Sequence, residues 1–235
     1  MNRQFTIGIL GGMGPRATVE FERRLIKRFE GSDQTIPQIV TINDGSIPDR
    51  TRFLLGDGAD PLDQLAVNAE RLLKFGATII CMPCNTAHAD RILGRLQAQL
   101  ALPIIDMPTA CLAQAAERDC QSVLILGTDG TRFSNVFDSR AIDLYCVYPS
   151  ANDQRIVNRL IRAIKCGEFI SPAQVGQFQQ IIDEASTDAA ILACTELSLL
   201  KGRLPDSYHI IDSLDALAQD CYEQAVLAYN NMVEE

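Results

Sequence analysis

The sequence predicts an α/β protein of two similar halves, each a mainly parallel sheet flanked by helices. Three observations carry this reading. Short, wholly apolar runs alternate with longer segments of helical period, the pattern of strands buried on both faces between amphipathic helices. The motifs that follow those runs recur in the same order in the second half of the chain. With 47% apolar and 22% charged residues, the chain has enough core-forming material to cover such sheets and the balance of an ordinary globular protein.

The elements follow in order. Residues 5–10 read as a strand, ending at a glycine turn, and 15–29 as a helix with Pro15 in its first turn. Residues 38–43 read as a second strand, 61–75 as a helix, 78–82 as a third apolar run, and the stretch from there to residue 100 as helical. Residues 103–106 are strand-like, and a helix containing Gln114 follows. The second half reads as strands at 122–126 and 143–147, helices at 153–166 and 172–185, strands at 189–193 and 210–212, and a closing helix from 214 to about 232.

The internal echo is more informative than any one element. Ile9-Leu10-Gly11-Gly12-Met13-Gly14 returns as Ile125-Leu126-Gly127-Thr128-Asp129-Gly130. Cys84-Asn85-Thr86 returns as Cys194-Thr195-Glu196, each directly after an apolar run, and Pro103-Ile104-Ile105-Asp106 returns as His209-Ile210-Ile211-Asp212. The common order implies two α/β halves of small-domain size. Residues 1–110 with 214–235 are expected to form one and 111–213 the other, the last helix packing back on the first half because Asp212 echoes Asp106.

Composition bounds the function. The net charge is −9 with scattered acids and no basic stripe, which argues against a nucleic-acid partner. No apolar stretch is long enough to span a bilayer, so no membrane partner is expected. The N-terminus runs directly into a strand and a glycine turn, which argues against a signal peptide, and a cytoplasmic setting is expected. An acidic surface offers no general attraction to anions, so any anion site must be built locally from a few cations and backbone N–H groups.

Eight cysteines lie at 81, 84, 111, 120, 146, 166, 194 and 221, too dispersed for a disulfide framework. Most are expected to be small buried hydrophobes. Cys84 and Cys194 differ, because each follows a strand at the sheet edge where open parallel sheets bind ligands. If the halves are related by a pseudo-twofold axis, the two thiols face each other across a cleft. That arrangement suits racemisation, which needs a base on one face of a carbon and an acid on the other. Each thiol is expected to have a lowered pKa from the helix N-terminus it opens. Asn85, Thr86 and Thr195 supply short polar groups for an α-carboxylate, although they could equally serve as helix caps.

Two further motifs compete with this reading. Cys81-Met82-Pro83-Cys84 is a C-x-x-C, but Cys81 ends an apolar run and is read as an interior strand residue, with no second pair to complete a metal shell. Gly12-x-Gly14-x-x-Ala17 is a weak dinucleotide fingerprint with Asp44 as a possible ribose partner. The alternative is that these glycines let the backbone approach a small substrate, and that reading is preferred because it leaves the echoed cysteines a role. Met13 and Thr128, in the two post-strand turns, join the candidate substrate contacts. Arg50 is placed in a turn after the second strand and Lys165 near a helix end; taken singly, each reads as a solvated surface charge. His88 reads as an orienting residue, Glu196 as a polar group beside the second thiol, and Asp49 as a partner of Arg50 or Lys165 or as a turn aspartate.

Together, Ile9-Leu10-Gly11-Gly12-Met13-Gly14-Pro15, Ile47-Pro48-Asp49-Arg50-Thr51, Met82-Pro83-Cys84-Asn85-Thr86-Ala87-His88 and Ala193-Cys194-Thr195-Glu196 resemble the aspartate racemase family, within the PLP-independent aspartate/glutamate racemase superfamily. The resemblance spans essentially the whole chain. It implies an active site between two α/β domains, commonly in a homodimer, with Cys84 and Cys194 exchanging protons at Cα without cofactor or metal. It also implies that Arg50 and Lys165 meet the side-chain carboxylate of a small acidic amino acid. Glutamate racemases usually carry histidine after the second Cys-Thr; Glu196 here favours the aspartate branch. A glutamate or broad-specificity racemase is the nearest alternative, and a non-catalytic dicarboxylate-binding protein the alternative of another class.

Overall fold

The computed structural model describes residues 5–29, 31 and 33–233. The first sheet contains β1 (Thr6–Gly11), β2 (Gln38–Asn43) and β3 (Ile79–Cys81) in the order β2-β1-β3, all parallel. The register places Ile7 beside both Ile39 and Ile79. The second sheet contains β4 (Ser122–Leu126), β5 (Tyr145–Val147), β6 (Ala189–Leu192) and β7 (Ile210–Asp212) in the order β5-β4-β6-β7, again all parallel.

The two orders match element for element. The place of β7 is taken in the first sheet by Ile104, which makes a parallel bridge to Ile80. The strand expected at 103–106 is reduced to that bridge. Pro103 has no N–H to donate, and Asp106 turns away to cap the next helix, accepting from Thr109 N at 3.0 Å.

Alternation along the strands builds the layers. In β1, Ile7 and Ile9 face helices α1 (Pro15–Ile26) and α9 (Ser213–Val233) through Phe21, Leu25, Leu214, Leu217 and Cys221. Leu10 faces α3 (Leu62–Lys74) and α4 (Asp90–Gln97) through Leu65, Leu72, Ile92 and Leu96. In β4, Leu124 and Leu126 meet α7 (Ala151–Cys166) and α8 (Pro172–Glu184). Val157, Leu160, Ile161 and Ile164 of α7 form the buried i, i+3, i+4, i+7 stripe of an amphipathic helix. Val123 and Ile125 meet α5 (Met107–Ala116) and Phe137.

Several boundaries differ from the expectation for local reasons. The strand predicted from residue 143 begins at Tyr145, because Asp143 has φ +55, in the left-handed region. The helix predicted up to residue 100 divides into a 3₁₀ turn, Asn85–His88, and α4, with an extended ψ of 138 at Ala89 between them. Arg50, expected in a turn, instead opens a helix, α2 (Arg50–Leu55), capped by Asp49 at its start and by left-handed Gly56 at its end. A further short helix, α6 (Asp129–Phe133), opens with Thr128 accepting from Thr131 N. Among the described residues, no helix is long and apolar enough to cross a membrane.

Candidate active site

Both cysteines lie at the carboxyl ends of strands, Cys84 after β3 and Cys194 after β6, and both are almost fully buried. They line one cavity. Met13, Arg50, Asn85, Thr86, Thr128, Lys165, Thr195 and Glu196 line it as well, so all the candidate substrate contacts converge on the two thiols. Asp49, Thr51 and Ala193 complete the wall. The cavity volume is about 10 Å³, room for a single water molecule, so the two halves meet over the site in a closed arrangement. A vestibule of about 300 Å³ adjoins it, sharing Met13, Asp49, Arg50, Lys165 and Glu196. A larger groove of about 1300 Å³ lies elsewhere, and Arg24 on its wall is held by Glu20, Asp212 and Asp215.

The cysteine environments correct one expectation. The segments that follow the thiols are 3₁₀ rather than α-helices with a strong dipole: Asn85–His88 directly after Cys84, and Leu197–Arg203 beginning after Glu196. The Cys194 thiol donates to Glu196 Oε2 at 3.0 Å. Burial, followed by the adjacent Glu196 carboxylate, pushes the Cys194 pKa well above the ordinary thiol value, with Lys165 pulling the other way. Cys194 therefore rests as a protonated thiol.

Lys165 is exposed as a whole residue while also lining the cavity. Desolvation disfavours its charge, but the neighbouring Cys194, Glu196 and Cys84 outweigh that effect and raise its pKa. Arg50, read singly as a surface charge, is only 7% exposed. Its Nη1 donates to the carbonyls of Ile47 at 3.2 Å and Pro48 at 2.9 Å, and its Nη2 donates to Met13 at 2.8 Å. Asp49 pairs with neither cation; its carboxylate accepts from Arg52 N at 2.9 Å and caps α2.

Backbone constraints fix the rest. A Cβ on Gly14 would lie 2.7 Å from Glu196 Oε1, and one on Gly12 (φ +100) would lie 2.1 Å from the Asp44 carbonyl oxygen. These glycines thus make room for a carboxylate and a neighbouring chain segment within the protein. The Asp44 carboxylate is occupied by Ser46, Gln64 and Asn68, which removes the ribose partner that a dinucleotide reading needed. Cys81 faces the opposite side of the sheet, beside Cys221, so the C-x-x-C thiols do not share a loop. His88 is fully buried, with Nδ1 2.9 Å from the Cys84 carbonyl and Nε2 3.1 Å from that of Ile105. Burial lowers its pKa, and its contacts hold the Cys84 loop in place.

The sequence reading missed Thr51, Thr131 and Ser213. Thr51 Oγ1 lies 3.0 Å from Thr128 Oγ1, and Thr86 Oγ1 lies 3.1 Å from Thr131 Oγ1 and 3.3 Å from Thr128 Oγ1. This hydroxyl cluster joins the first half to the second. Ser213 receives the Asn85 amide nitrogen at 3.0 Å, while Asn85 Oδ1 is buried without a partner. Asn85, expected beside a carboxylate, thus leaves an acceptor rather than a donor unpaired. Thr131 and Ser213 each stand one residue beyond an echoed motif, the one signal that could have found them.

Two sheet edges that each deliver a thiol to one small polar cavity define a two-domain, cofactor-independent racemase architecture. The sequence pattern described as Asp/Glu/hydantoin racemase matches residues 10–221, and the chain belongs to that family. The broad specificity amino-acid racemase RacX of Bacillus subtilis (strain 168) is 27% identical over 96% of this chain and 100% of its own length. A glutamate racemase of Ectopseudomonas mendocina (strain ymp) is 30% identical over 64% of this chain and 59% of its own. Among solved structures, the Picrophilus torridus aspartate racemase superposes with a TM-score of 0.78 at 26% identity, covering 94% of each chain.

Proposed function

We propose that this racemase interconverts L- and D-aspartate by two-thiol proton transfer at Cα. The observation that carries the reading is that Cys84 and Cys194, from different sheets, line one cavity together with Arg50 and Lys165. The substrate's distal carboxylate meets Arg50 and Lys165, and its α-carboxylate meets Thr86, Thr195 and nearby backbone N–H groups. One sulfur, as the thiolate, takes the Cα proton, leaving the electron pair delocalised into the α-carboxylate. The opposite thiol delivers its proton to the other face. The product leaves with the two protonation states exchanged, and the reverse direction uses the same groups in opposite roles. Closure excludes water and strengthens the cationic stabilisation of the carbanionic transition state.

The same proposal includes a homodimer, implied by the family resemblance, and a reducing cytoplasmic setting that keeps the thiols free. A broader substrate range is the second reading. It is favoured by the name of the Bacillus relative and by the vestibule beyond Arg50 and Lys165, which has room for longer side chains.

Chiral chromatography of a panel of L-amino acids incubated in deuterated water tests the reading. Aspartate is expected to racemise fastest, with deuterium at Cα. Cys84→Ser and Cys194→Ser should each abolish racemisation. Normal aspartate racemisation by either variant would exclude the two-thiol mechanism.

A further inference from the structure

Two arginines cross between the halves at matching places. Arg24 lies ten residues after Gly14, and Arg140 ten residues after Gly130, the glycines of the echoed turns. Arg24 belongs to α1, whose Phe21 and Leu25 pack on the first sheet. Its guanidinium reaches the second half: Nη1 donates to Asp212 Oδ2 at 2.8 Å and Nη2 to the Ser198 carbonyl at 2.9 Å. Arg140 follows Val136 and Phe137, which pack on the second sheet. It reaches the first half: Nε donates to both Asp106 oxygens, at 3.0 and 2.9 Å, and Nη2 to the His88 carbonyl at 2.9 Å.

The acceptors are equivalent as well. Ser198 stands four residues after Cys194, and His88 four after Cys84. Asp212 ends β7, and Asp106 follows the Ile104 bridge that takes the place of β7 in the first sheet. His88, Ser198 and Asp212 are buried, and the two arginine side chains are only 12% and 13% exposed. The local backbones differ: Arg24 is helical, whereas Arg140 lies in turns beyond α6. Two unlike local structures thus bring a guanidinium to the same pair of acceptors, a carboxylate and the carbonyl of a cysteine segment. The planar fork of arginine can serve both at once. The Asp212 carboxylate is itself fixed, accepting from Ser198 Oγ at 2.6 Å and from Leu214 N at 2.9 Å.

We propose that Arg24 and Arg140 are a matched pair of positioning residues, each holding the cysteine segment of the opposite half. Arg24 sets the segment of Cys194, and Arg140 sets that of Cys84. Because each clamp spans the two halves, neither thiol is held in place unless the halves are together, which ties thiol placement to closure. The catalytic meaning of the clamps rests on the two-thiol racemase reading; their crossed action on the thiols does not.

The test reads each thiol separately. Wild type, Arg24→Ala and Arg140→Ala are treated with iodoacetamide, and alkylation of each cysteine is followed by peptide mass mapping. Exposed Cys166 serves as the reagent reference, and the core thiols Cys81 and Cys111 report unfolding. Arg24→Ala should speed alkylation of Cys194 about tenfold and leave Cys84 within about twofold of wild type; Arg140→Ala should do the reverse. Tenfold is the worth of one hydrogen bond to a charged group, read as easier local opening. Arg24→Lys and Arg140→Lys keep a charge beside the aspartates but lose the second arm to the carbonyl, and should shift the same thiols by about threefold. Faster alkylation of Cys81 and Cys111 marks an alanine variant as unfolded, and the lysine pair then decides. In the pair that folds, equal acceleration of both thiols, acceleration on the arginine's own side, or none overturns the inference. Deuterium exchange at Cα of aspartate by the wild type is measured alongside. Its absence beside the crossed alkylation pattern would reject the racemase reading and leave the clamps standing.

Discussion

Glu196 accepts a hydrogen bond from the Cys194 thiol across 3.0 Å within a site where both residues are nearly fully buried. A carboxylate in that position opposes thiolate formation, since two negative charges would share one small, poorly solvated volume. Replacing it by Glu196→Gln keeps the shape and removes the charge. The Cys194 thiol pKa should then fall, so that more thiolate is present at a given pH. Titration of the thiolate absorbance, with Cys194→Ser as the blank, measures this. An unchanged or raised midpoint would show that burial alone sets the thiol's protonation.

Buried thiols also give the fold an alkaline limit. Burial raises Cys81, Cys111 and Cys194 well above the ordinary value of 9.0. Their folded pKa exceeds the unfolded one, so their contribution to stability is complete below the unfolded value and declines as pH rises past it. Each thiol should remove about 1.4 kcal/mol of stability per pH unit in that range. Urea denaturation between pH 8.5 and 10 should show a falling free energy, and Cys111→Ala should reduce the slope by about one such increment. A slope unaffected by that substitution would assign the alkaline loss to other groups.

The succession of strands along the chain and the convergence of the candidate residues on one cavity were legible because both are written in short-range patterns. Wholly apolar runs named the strands, and the echoed Gly-rich and Cys-Thr or Cys-Asn-Thr segments marked the equivalent edges of two sheets. Helix α2 was not legible: six residues give too short a period to recognise, and its caps, Asp49 and Gly56, read equally well as turn residues. The raised pKa of Cys194 was not legible either. It depends on burial and on how Glu196 folds back over Gly14, whereas the local pattern suggested only a helix N-terminus. The inward position of Arg50 is set by the Met13 carbonyl, 37 positions away in sequence.

That anchoring changes what an Arg50 substitution should do. The guanidinium binds three backbone carbonyls and still leaves Nε for a ligand, a division of donors that one ammonium cannot reproduce. Arg50→Lys should therefore lower kcat/KM for aspartate by about 100-fold, near 3 kcal/mol of transition-state stabilisation. Alanine turnover should also fall, by about tenfold, because the Met13 loop loses its tether. Steady-state kinetics with both substrates separates the two contributions. Equal losses would leave Arg50 as an anchor with no part in recognising the distal carboxylate.

Closure can be tested away from the reacting atoms, at the contact between α2 and α6. A Cβ on Gly130 would stand 2.8 Å from Thr51 Cα, so the obstacle is backbone and cannot be relieved by a rotamer change. Gly130→Ala must push the two helices apart, and with them the Thr51–Thr128 contact that joins the halves beside the cavity. A cavity of about 10 Å³ has no slack to absorb such a displacement. Misplacement on the order of 1 Å can cost about 100-fold in rate, so kcat should fall by about 10- to 100-fold while thermal stability changes little. Gly176→Ala supplies the control, since an added methyl there meets nothing within 4 Å and should if anything stabilise α8. If Gly130→Ala retains full kcat, close approach of α2 to α6 is not required for turnover, and closure must be driven from the vestibule side of the site.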